Sequence, residues 1–511
     1  MRRSASRWVG VFAALSFAAS AVAASPVAAP ARVLRFERFG AVTVYPSIGA
    51  AREFVMFVSG DGGWNLGVVS MARALTHQHA IVVGIDVRHY LEALRGERAR
   101  CVSPAVDFEN LSHYVQAKLG LPRYLQPTLV GYSSGATLVY ATLVESPEGL
   151  FKGALSIGFC PDLDLTKPVC AGSGIHAAPR RDRRGVLRGV NFLPAKTLSG
   201  RWISLQGEID QVCPIAPTQR FIAQVPGAEM VRLPKVGHGY GVERNWMPQF
   251  KAAFARLTLS APPAARVTTP SSDAAPATAV PRAPNKAPPV ARASAAVAFH
   301  GPIPPVDDLP LAVIPAAPGT HSRWFGVFLS GDGGWVGIDR QISHALAARG
   351  IPMVGWDSLR YFWTPRTPEG SAQDLDRVLR HFALRWGKSR VLLVGYSQGA
   401  DTLPFMINRL PPTTHAIVGL TALLGISDSA QFEFHVANWL GSTRGGIPTA
   451  PELARWTGSH YLCLYGRSDR EATCAHSQSP WAISVEMPGG HHFDGHYAAI
   501  ADRILAHLPS D

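Results

Sequence analysis

Charge is scarce in this chain of 511 residues: Asp, Glu, Lys and Arg together make up 17%, against 47% hydrophobic residues. A mainly disordered chain is thereby excluded, and the length suggests more than one domain. Helices with one basic face are lacking, as are RNA-binding signatures, so the net charge of +13 is not read as a nucleic-acid surface. Much of that charge is local, in Arg2, Arg3 and Arg7, in the run Arg180 to Arg188, and in Arg266, Arg282, Lys286 and Arg292. The run at 180–188 reads either as a contact with anionic lipid headgroups at a membrane surface or as a solvated surface loop.

Long apolar runs are absent beyond the amino terminus. There, Trp8 to Ala24 follows the basic Met1 to Arg7 and ends in Ala21-Val22-Ala23. Residues 1–23 therefore read as a cleaved secretory signal, which makes the expected location periplasmic. The run is short and alanine-rich for a membrane span, and no cysteine near the cut offers a lipid anchor. Cysteine is sparse too, with six in the chain. In an exported protein six favour disulfides over metal. The connectivity of Cys101, Cys160, Cys170 and Cys213 stays open, while Cys463 and Cys474 offer a pairing across a short loop or remain reduced.

What is present is an internal repeat. FVSGDGGW at Phe57 to Trp64 recurs as FLSGDGGW at Phe328 to Trp335, and VGIDVRHY at Val83 to Tyr90 as VGWDSLRY at Val354 to Tyr361. LVGYSSGA at Leu129 to Ala136 recurs as LVGYSQGA at Leu393 to Ala400. The expected organisation is two copies of one domain, residues 33–258 and 306–511, joined by a Pro/Ala-rich linker at 259–305 that is too poor in large apolar groups to build a core. In each copy short apolar runs alternate with helical stretches, which predicts an α/β fold with a mostly parallel sheet flanked by helices. In the second copy strands are expected at Phe325 to Leu329, Ile351 to Trp356 and Val391 to Val394, and helices at Ile342 to Ala348 and Leu375 to Trp386. The first copy follows with strands at Val55 to Val58, Ala80 to Ile85 and Thr128 to Val130, and helices at Ala72 to Leu75 and Leu111 to Leu119.

GYSSG at Gly131 to Gly135 and GYSQG at Gly395 to Gly399 each follow an apolar strand and precede a helix-compatible run, the setting of a nucleophile elbow. Ser133 and Ser397 are the expected nucleophiles. A serine hydroxyl needs a histidine to take its proton and a carboxylate to fix that histidine. In chain order these are Asp210 and His238 in the first copy and Asp469 and His491 in the second. His-x-aromatic matching favours His491, whereas counting from Pro488 favours His492. A metal site at His491, His492, Asp494 and His496 is disfavoured, because no distant ligand set accompanies it and the serine motif already claims one histidine; no metal and no cofactor are expected. The SGDGGW loops would supply one oxyanion N–H from the Gly60–Asp61 or Gly331–Asp332–Gly333 backbone, with the N–H of Ser134 or Gln398 as the other donor. Asp61 and Asp332 sit oddly beside a developing oxyanion: they brace their own turns or pair with a cationic substrate group, and Asp86 and Asp357 could share either role.

SGDGGW, GWDSLRYFW at Gly355 to Trp363, GYSQGAD at Gly395 to Asp401 and GGHHFDG at Gly489 to Gly495 resemble the bacterial virulence proteins VirJ and AcvB, of α/β-hydrolase type. The resemblance spans nearly the whole mature chain, as two VirJ-like domains. It implies an exported hydrolase that frees the amino acid from aminoacyl-phosphatidylglycerol, lysyl or alanyl, with Ser397, Asp469 and His491 as the working triad. The first copy departs from the family pattern, with VRHYLEA where the second has SLRYFWT, and whether it acts stays open. Two other readings share the sequence: a non-enzymatic factor holding secretion-system proteins, and a broad esterase or thioesterase.

Overall fold

The computed structural model describes residues 30–96, 101–170, 174–258, 299, 301–320, 322–434, 446–457, 460–469, 472–476 and 479–509. The signal segment at 1–23 and nearly all of the linker at 259–305 lie outside the described residues.

The first copy opens with two strands that the sequence reading did not place, β1 (Arg32–Phe36) and β2 (Gly40–Tyr45), followed by β3 (Glu53–Val58), α1 (Leu66–Thr76), β4 (Ala80–Ile85), α2 (Val87–Gly96) and α3 (Pro104–Lys118). It continues through β5 (Pro127–Tyr132), α4 (Ser134–Glu145), β6 (Gly153–Ile157), the short β7 (Asp162–Leu163), β8 (Ala177–Arg181) and β9 (Leu187–Phe192), then β10 (Arg201–Gly207), α5 (Ile215–Ile222), β11 (Ala228–Leu233) and α6 (Met247–Thr258). Its main sheet runs β1-β2-β4-β3-β5-β6-β10-β11. All neighbours from β4 onward are parallel, and β1 and β2 are antiparallel additions at the edge. β4 is AIVVGI with every residue buried, the continuous apolar run of a strand covered on both faces.

The second copy repeats this with β12 (Leu311–Ile314), β13 (Trp324–Leu329), α7 (Gly337–Ala348), β14 (Met353–Trp356), α8 (Ser358–Tyr361), α9 (Pro368–Trp386), β15 (Arg390–Tyr396) and α10 (Gln398–Ile407). After α11 (Pro412–His415) come β16 (Val418–Leu424), β17 (Ser429–Ala430), β18 (Ile447–Pro448), α12 (Ala450–Ala454), β19 (Tyr461–Gly466), β20 (Ala482–Met487) and α13 (Tyr497–Ala506). The main sheet runs β12-β14-β13-β15-β16-β19-β20, parallel except for β12. Both copies have the expected α/β arrangement of a mostly parallel sheet flanked by helices. Every expected strand and helix is found, and the helices run longer than the apolar runs that signalled them.

The basic run at 180–188 forms the hairpin of a separate three-stranded sheet, β7-β9-β8, rather than a simple loop. Arg180 pairs with Asp164, and Arg188 with Asp182 at 2.9 Å, so part of its charge is used internally. Chain ahead of residue 306 already packs on the second copy: His381 Nδ1 meets the Pro304 carbonyl at 2.7 Å, and Arg377 donates to the Pro305 carbonyl at 3.0 Å. Disulfides join Cys101 to Cys170, Cys160 to Cys213 and Cys463 to Cys474. Three such bonds point to an oxidising, extracytoplasmic compartment. No helix among the described residues is long and apolar enough to cross a membrane.

The copies are in contact. Trp363 donates its ring N–H to the Leu121 carbonyl at 2.7 Å, and its ring lies 5.3 Å from Tyr124 and 5.0 Å from Phe434. Arg340 of α7 forms an ion pair with Glu148, just past α4.

Candidate active sites

Each elbow serine sits where a parallel strand hands over to a helix. Ser133, between β5 and α4, has φ 56° and ψ −123°, and Ser397, between β15 and α10, has φ 51° and ψ −120°. Such backbone angles cost a non-glycine residue about 1–3 kcal/mol and persist only when the surroundings enforce them. The flanking glycines supply that enforcement. A Cβ on Gly131 would lie 2.1 Å from the Gly135 carbonyl oxygen, and one on Gly395 would lie 2.5 Å from that of Gly399. At Gly135 and Gly399 it would strike the Ser59 and Leu329 carbonyl oxygens at 2.4 and 2.3 Å.

In the first copy the expected acid and base converge on the serine. Ser133 Oγ lies 2.9 Å from His238 Nε2, and His238 Nδ1 lies 2.9 Å from Asp210 Oδ2. Asp210, buried on the turn after β10, is fixed through Oδ1 by the N–H groups of Val212 and Cys213 at 2.9 and 2.8 Å. In the second copy His491 Nδ1 lies 2.8 Å from Asp469 Oδ2, whereas His492 Nδ1 lies 2.8 Å from the Tyr396 hydroxyl. The ambiguity between the two histidines is thereby resolved by geometry: only His491 faces the carboxylate. Burial, and after it the neighbouring His491, lowers the pKa of His492. Ser397 and His491 line one cleft without a hydrogen bond between them, unlike their counterparts in the first copy.

The SGDGGW loops lie against the elbows. A Cβ on Gly60 would sit 2.9 Å from Ser133 Cβ, so that glycine lets the backbone reach the serine, while one on Gly331 would press on the Tyr396 ring at 3.2 Å and meet Ser397 Cβ at an ordinary 3.5 Å. The loop's tryptophan explains a second shared motif. A Cβ on Gly84 or Gly355 would fall 2.1 or 2.2 Å from the Trp64 or Trp335 ring, so the glycine of VGID and VGWD makes room for the tryptophan of SGDGGW.

The four loop aspartates divide. Asp61 Oδ1 accepts the Ser134 hydroxyl at 2.6 Å, which is a brace. In the second copy Gln398 replaces Ser134 and sends its amide to the Gln431 carbonyl at 3.1 Å, so residue 398 does not brace Asp332, which lines the Ser397 cleft. Asp86 accepts from the N–H groups of Trp64 and Arg88 at 3.3 and 2.9 Å. Asp357 accepts from Arg360 N–H at 3.0 Å as the cap of α8. Of the two roles open to Asp357, the bracing one is seen: it caps α8 and is not among the residues lining the Ser397 cleft.

The cleft at Ser133 has a volume of about 700 Å³ and that at Ser397 about 1180 Å³. Asp210, Cys213 and His238 bring potential metal ligands within 4.8 Å of one another. The Cys213 sulfur is bonded to Cys160 and His238 is engaged on both sides, so this set does not fit a metal. Sequence reasoning missed Tyr132 and Tyr396, whose hydroxyls meet the His238 carbonyl at 2.7 Å and His492. It also missed Asp401, whose Oδ1 accepts Ser427 N–H at 2.7 Å and whose burial pushes its carboxyl up to about 8. The first x of both G-x-S-x-G strings being Tyr was the available signal for the first two.

The family model for bacterial virulence protein VirJ matches residues 52–150 and 324–511, more than half of the chain and both elbow segments. The chain belongs to the VirJ family. Among curated proteins none matches it. Among solved structures, a lidless α/β serine hydrolase from Xanthomonas campestris is 18% identical at a TM-score of 0.30, over 46% of this VirJ-family chain and 98% of the other. Esterase 2 of Thermogutta terrifontis, in a butyrate-bound structure, is 17% identical at 0.31, over 44% and 93%. Est1E from Butyrivibrio proteoclasticus is 11% identical at 0.30, over 45% and 99%.

Proposed function

We propose that this VirJ-family chain is a periplasmic serine hydrolase that removes the amino acid from aminoacyl-phosphatidylglycerol, working at Ser397. The observation that carries the reading is the Ser397 cleft itself: a strained elbow serine beside an Asp469–His491 pair, with no Lys or Arg among the described residues that line it. An aminoacyl ester brings an ammonium next to its reactive carbonyl, and a cleft whose described lining includes Asp332, Asp339 and Asp494 suits a positive charge.

In the proposed reaction, Ser397 Oγ attacks the ester carbonyl carbon while His491 Nε2 takes the hydroxyl proton, and Asp469 holds the imidazole through Nδ1. The negative oxygen is held by backbone N–H groups at Gln398 and in the Gly331–Gly333 turn, each such donor being worth about 3 kcal/mol in the barrier. Collapse breaks the bond to the glycerol oxygen, which leaves as phosphatidylglycerol with the proton from His491. Water then attacks the acyl-serine, giving a proton to His491, and as the bond to Ser397 Oγ breaks His491 returns that proton to the serine and the free amino acid leaves. The open Ser397–His491 contact is of the kind that tightens when substrate arrives. Arg183 and Arg184, at the exposed tip of the β8–β9 hairpin, suit contact with anionic headgroups.

The test is release of free lysine from vesicles containing lysyl-phosphatidylglycerol. The native chain is expected to release it and Ser397→Ala to fall by at least about a thousandfold. Turnover unchanged in Ser397→Ala rejects the reading. Ser133→Ala, run in parallel, reports whether the first copy contributes.

A further inference from the structure

The two copies share a serine, an acid and a base, but the loops around these residues have diverged in character. Counted from the glycine that ends β10 or β19, Ile209, Gln211 and Val212 of the first copy stand where the second has Ser468, Arg470 and Glu471. Counted from His238 or His491, Gly241 and Val242 stand where the second has Asp494 and Gly495. The first copy has aliphatic side chains where the second has polar residues or glycine.

Those aliphatic side chains are left in water. Ile209, Val212 and Val242 are 63%, 65% and 48% exposed, and all three lie on the two loops that deliver Asp210 and His238. Val212 lines the Ser133 cleft, and Val242 sits between two lining residues, Gly241 and Glu243. Ile209 is fixed against the base loop by its N–H, which donates to the Val236 carbonyl at 3.2 Å, two residues before His238. Among the described residues on the second copy's loops after β19 and β20, none is a large exposed hydrophobic. Single exposed apolar side chains need no explanation, whereas three around one nucleophile mark a binding surface.

The inner wall of the cleft continues the apolar surface with the buried side chains of Val68 and Met71 from α1 and of Tyr240 and Trp246. Asp61 and Glu243 are the carboxylates among the described lining residues, and Asp61 is already engaged by the Ser134 hydroxyl. At about 700 Å³ the space suits a small ligand. The triad bordering it is closed, with Ser133 Oγ 2.9 Å from His238 Nε2 and His238 Nδ1 2.9 Å from Asp210. Its acid loop is tied by the Cys160–Cys213 bond to the loop after β6, and Cys213 N–H donates to Asp210 Oδ1 at 2.8 Å.

We propose that the first copy is a second, separate active site, a hydrolase for esters of neutral acyl chains with Ser133 as its nucleophile. Ser133 Oγ attacks the ester carbonyl carbon while His238 Nε2 takes the hydroxyl proton; the carbon–oxygen bond to the alcohol breaks, and the alcohol leaves with that proton. Water then attacks the acyl-serine and gives a proton to His238. As the bond to Ser133 Oγ breaks, His238 returns the proton to the serine and the carboxylic acid leaves. The acyl chain lies along Val68, Met71 and Trp246 and is covered by Val212, with Ile209 and Val242 withdrawn from water as it binds. This inference does not rest on the reading of Ser397. It gives the duplicated domains different acyl groups, a cationic one at Ser397 and an apolar one at Ser133.

The experiment uses full-length Ser397→Ala protein, in which only the first copy retains its serine, with p-nitrophenyl acetate, butyrate and hexanoate as probes. All three are expected to be cleaved, with kcat/KM rising about fourfold per added methylene. Adding Ser133→Ala should lower the rate by at least about a thousandfold. Two further variants, Ile209→Ser and Val212→Glu, place the second copy's residues on the exposed rim, and each is checked for its melting temperature. In both, the preference for hexanoate over acetate should fall, by about tenfold in Val212→Glu and mainly through KM. Ser397→Ala protein that cleaves none of the esters overturns the proposal, as does cleavage that survives the loss of Ser133. A rate independent of chain length overturns it too, as does a preference unchanged in both folded rim variants. Phosphatidylglycerol vesicles separate the two sources of such an ester: fatty acid released from them by Ser397→Ala protein supports a bilayer lipid, and cleavage confined to the dissolved probes supports a soluble ester. Lysine release from lysyl-phosphatidylglycerol is read on the native chain, so its failure would strike the Ser397 reading and leave the Ser133 site standing.

Discussion

Replacing Gly399 with alanine tests the packing that holds the Ser397 elbow. The added Cβ would meet the Leu329 carbonyl oxygen at 2.3 Å, its carbonyl carbon at 2.7 Å and the Ser330 carbonyl oxygen at 2.7 Å. All three belong to the backbone at the end of β13, a central strand paired on both sides, so they cannot swing away as a side-chain tip would. An ordinary carbon–oxygen contact is about 3.3–3.6 Å, so α10 must back off by about 1 Å. Overpacking of this kind costs about 1–3 kcal/mol of stability. The same 1 Å moves Ser397 and the Gln398 N–H relative to the Gly331–Gly333 turn, and a displacement of that size costs about a hundredfold in rate, or about 2.7 kcal/mol in the barrier. The assay is ester hydrolysis alongside thermal melting, with Gly96→Ala as the control, since a Cβ on Gly96 meets nothing within 4 Å. Gly399→Ala is expected to lose about a hundredfold in kcat and several degrees in melting temperature, with the control unchanged. Activity retained within about threefold in a folded Gly399→Ala protein would refute the claim that the strand-to-helix contact sets the elbow.

Two further predictions follow from the second copy. His491→Gln should lose at least about a thousandfold in kcat, whereas His492→Gln, which loses only the contact with Tyr396, should lose less than about tenfold; the reverse ranking would mean that the base is misassigned. The Asp401 carboxyl is raised from 3.8 to about 8 by burial, so the folded state holds its proton more tightly than the unfolded state. The stability it contributes is complete below about pH 4 and is lost as pH rises through about 8, with a slope of at most about 1.4 kcal/mol per pH unit. Asp401→Asn can keep the bond from Ser427 N–H and should become progressively more stable than the native chain between pH 5 and pH 8, measured as urea midpoints. A difference that stays constant with pH would show that Asp401 does not titrate in that range.

The sequence by itself determined the duplication, the α/β order and the six residues expected to act at the two serines. Those features are local or repeated: apolar runs of strand length, glycines at fixed offsets around Ser133 and Ser397, and one acid and one histidine each on a loop after a strand. Their positions follow from chain order, because every parallel strand delivers its following loop to the same edge of the sheet. Tertiary structure alone decided the rest. Whether His491 or His492 faces Asp469 depends on where the turn after β20 points, and two adjacent histidines carry no signal that separates them. Asp61, Asp86 and Asp357 looked alike as loop carboxylates next to glycine-rich motifs, yet each is held by hydroxyl or backbone donors that the chain does not announce. The partnerships of the first four cysteines were equally hidden, since 4 cysteines allow three pairings and only distance chooses among them. Most hidden was Glu109. It lies on a helix of the first copy, 288 residues from Ser397 in the chain, and it borders that serine's cleft because the two folded copies are in contact there. Residues brought together by the docking of two finished surfaces leave no periodicity or spacing for a sequence to reveal.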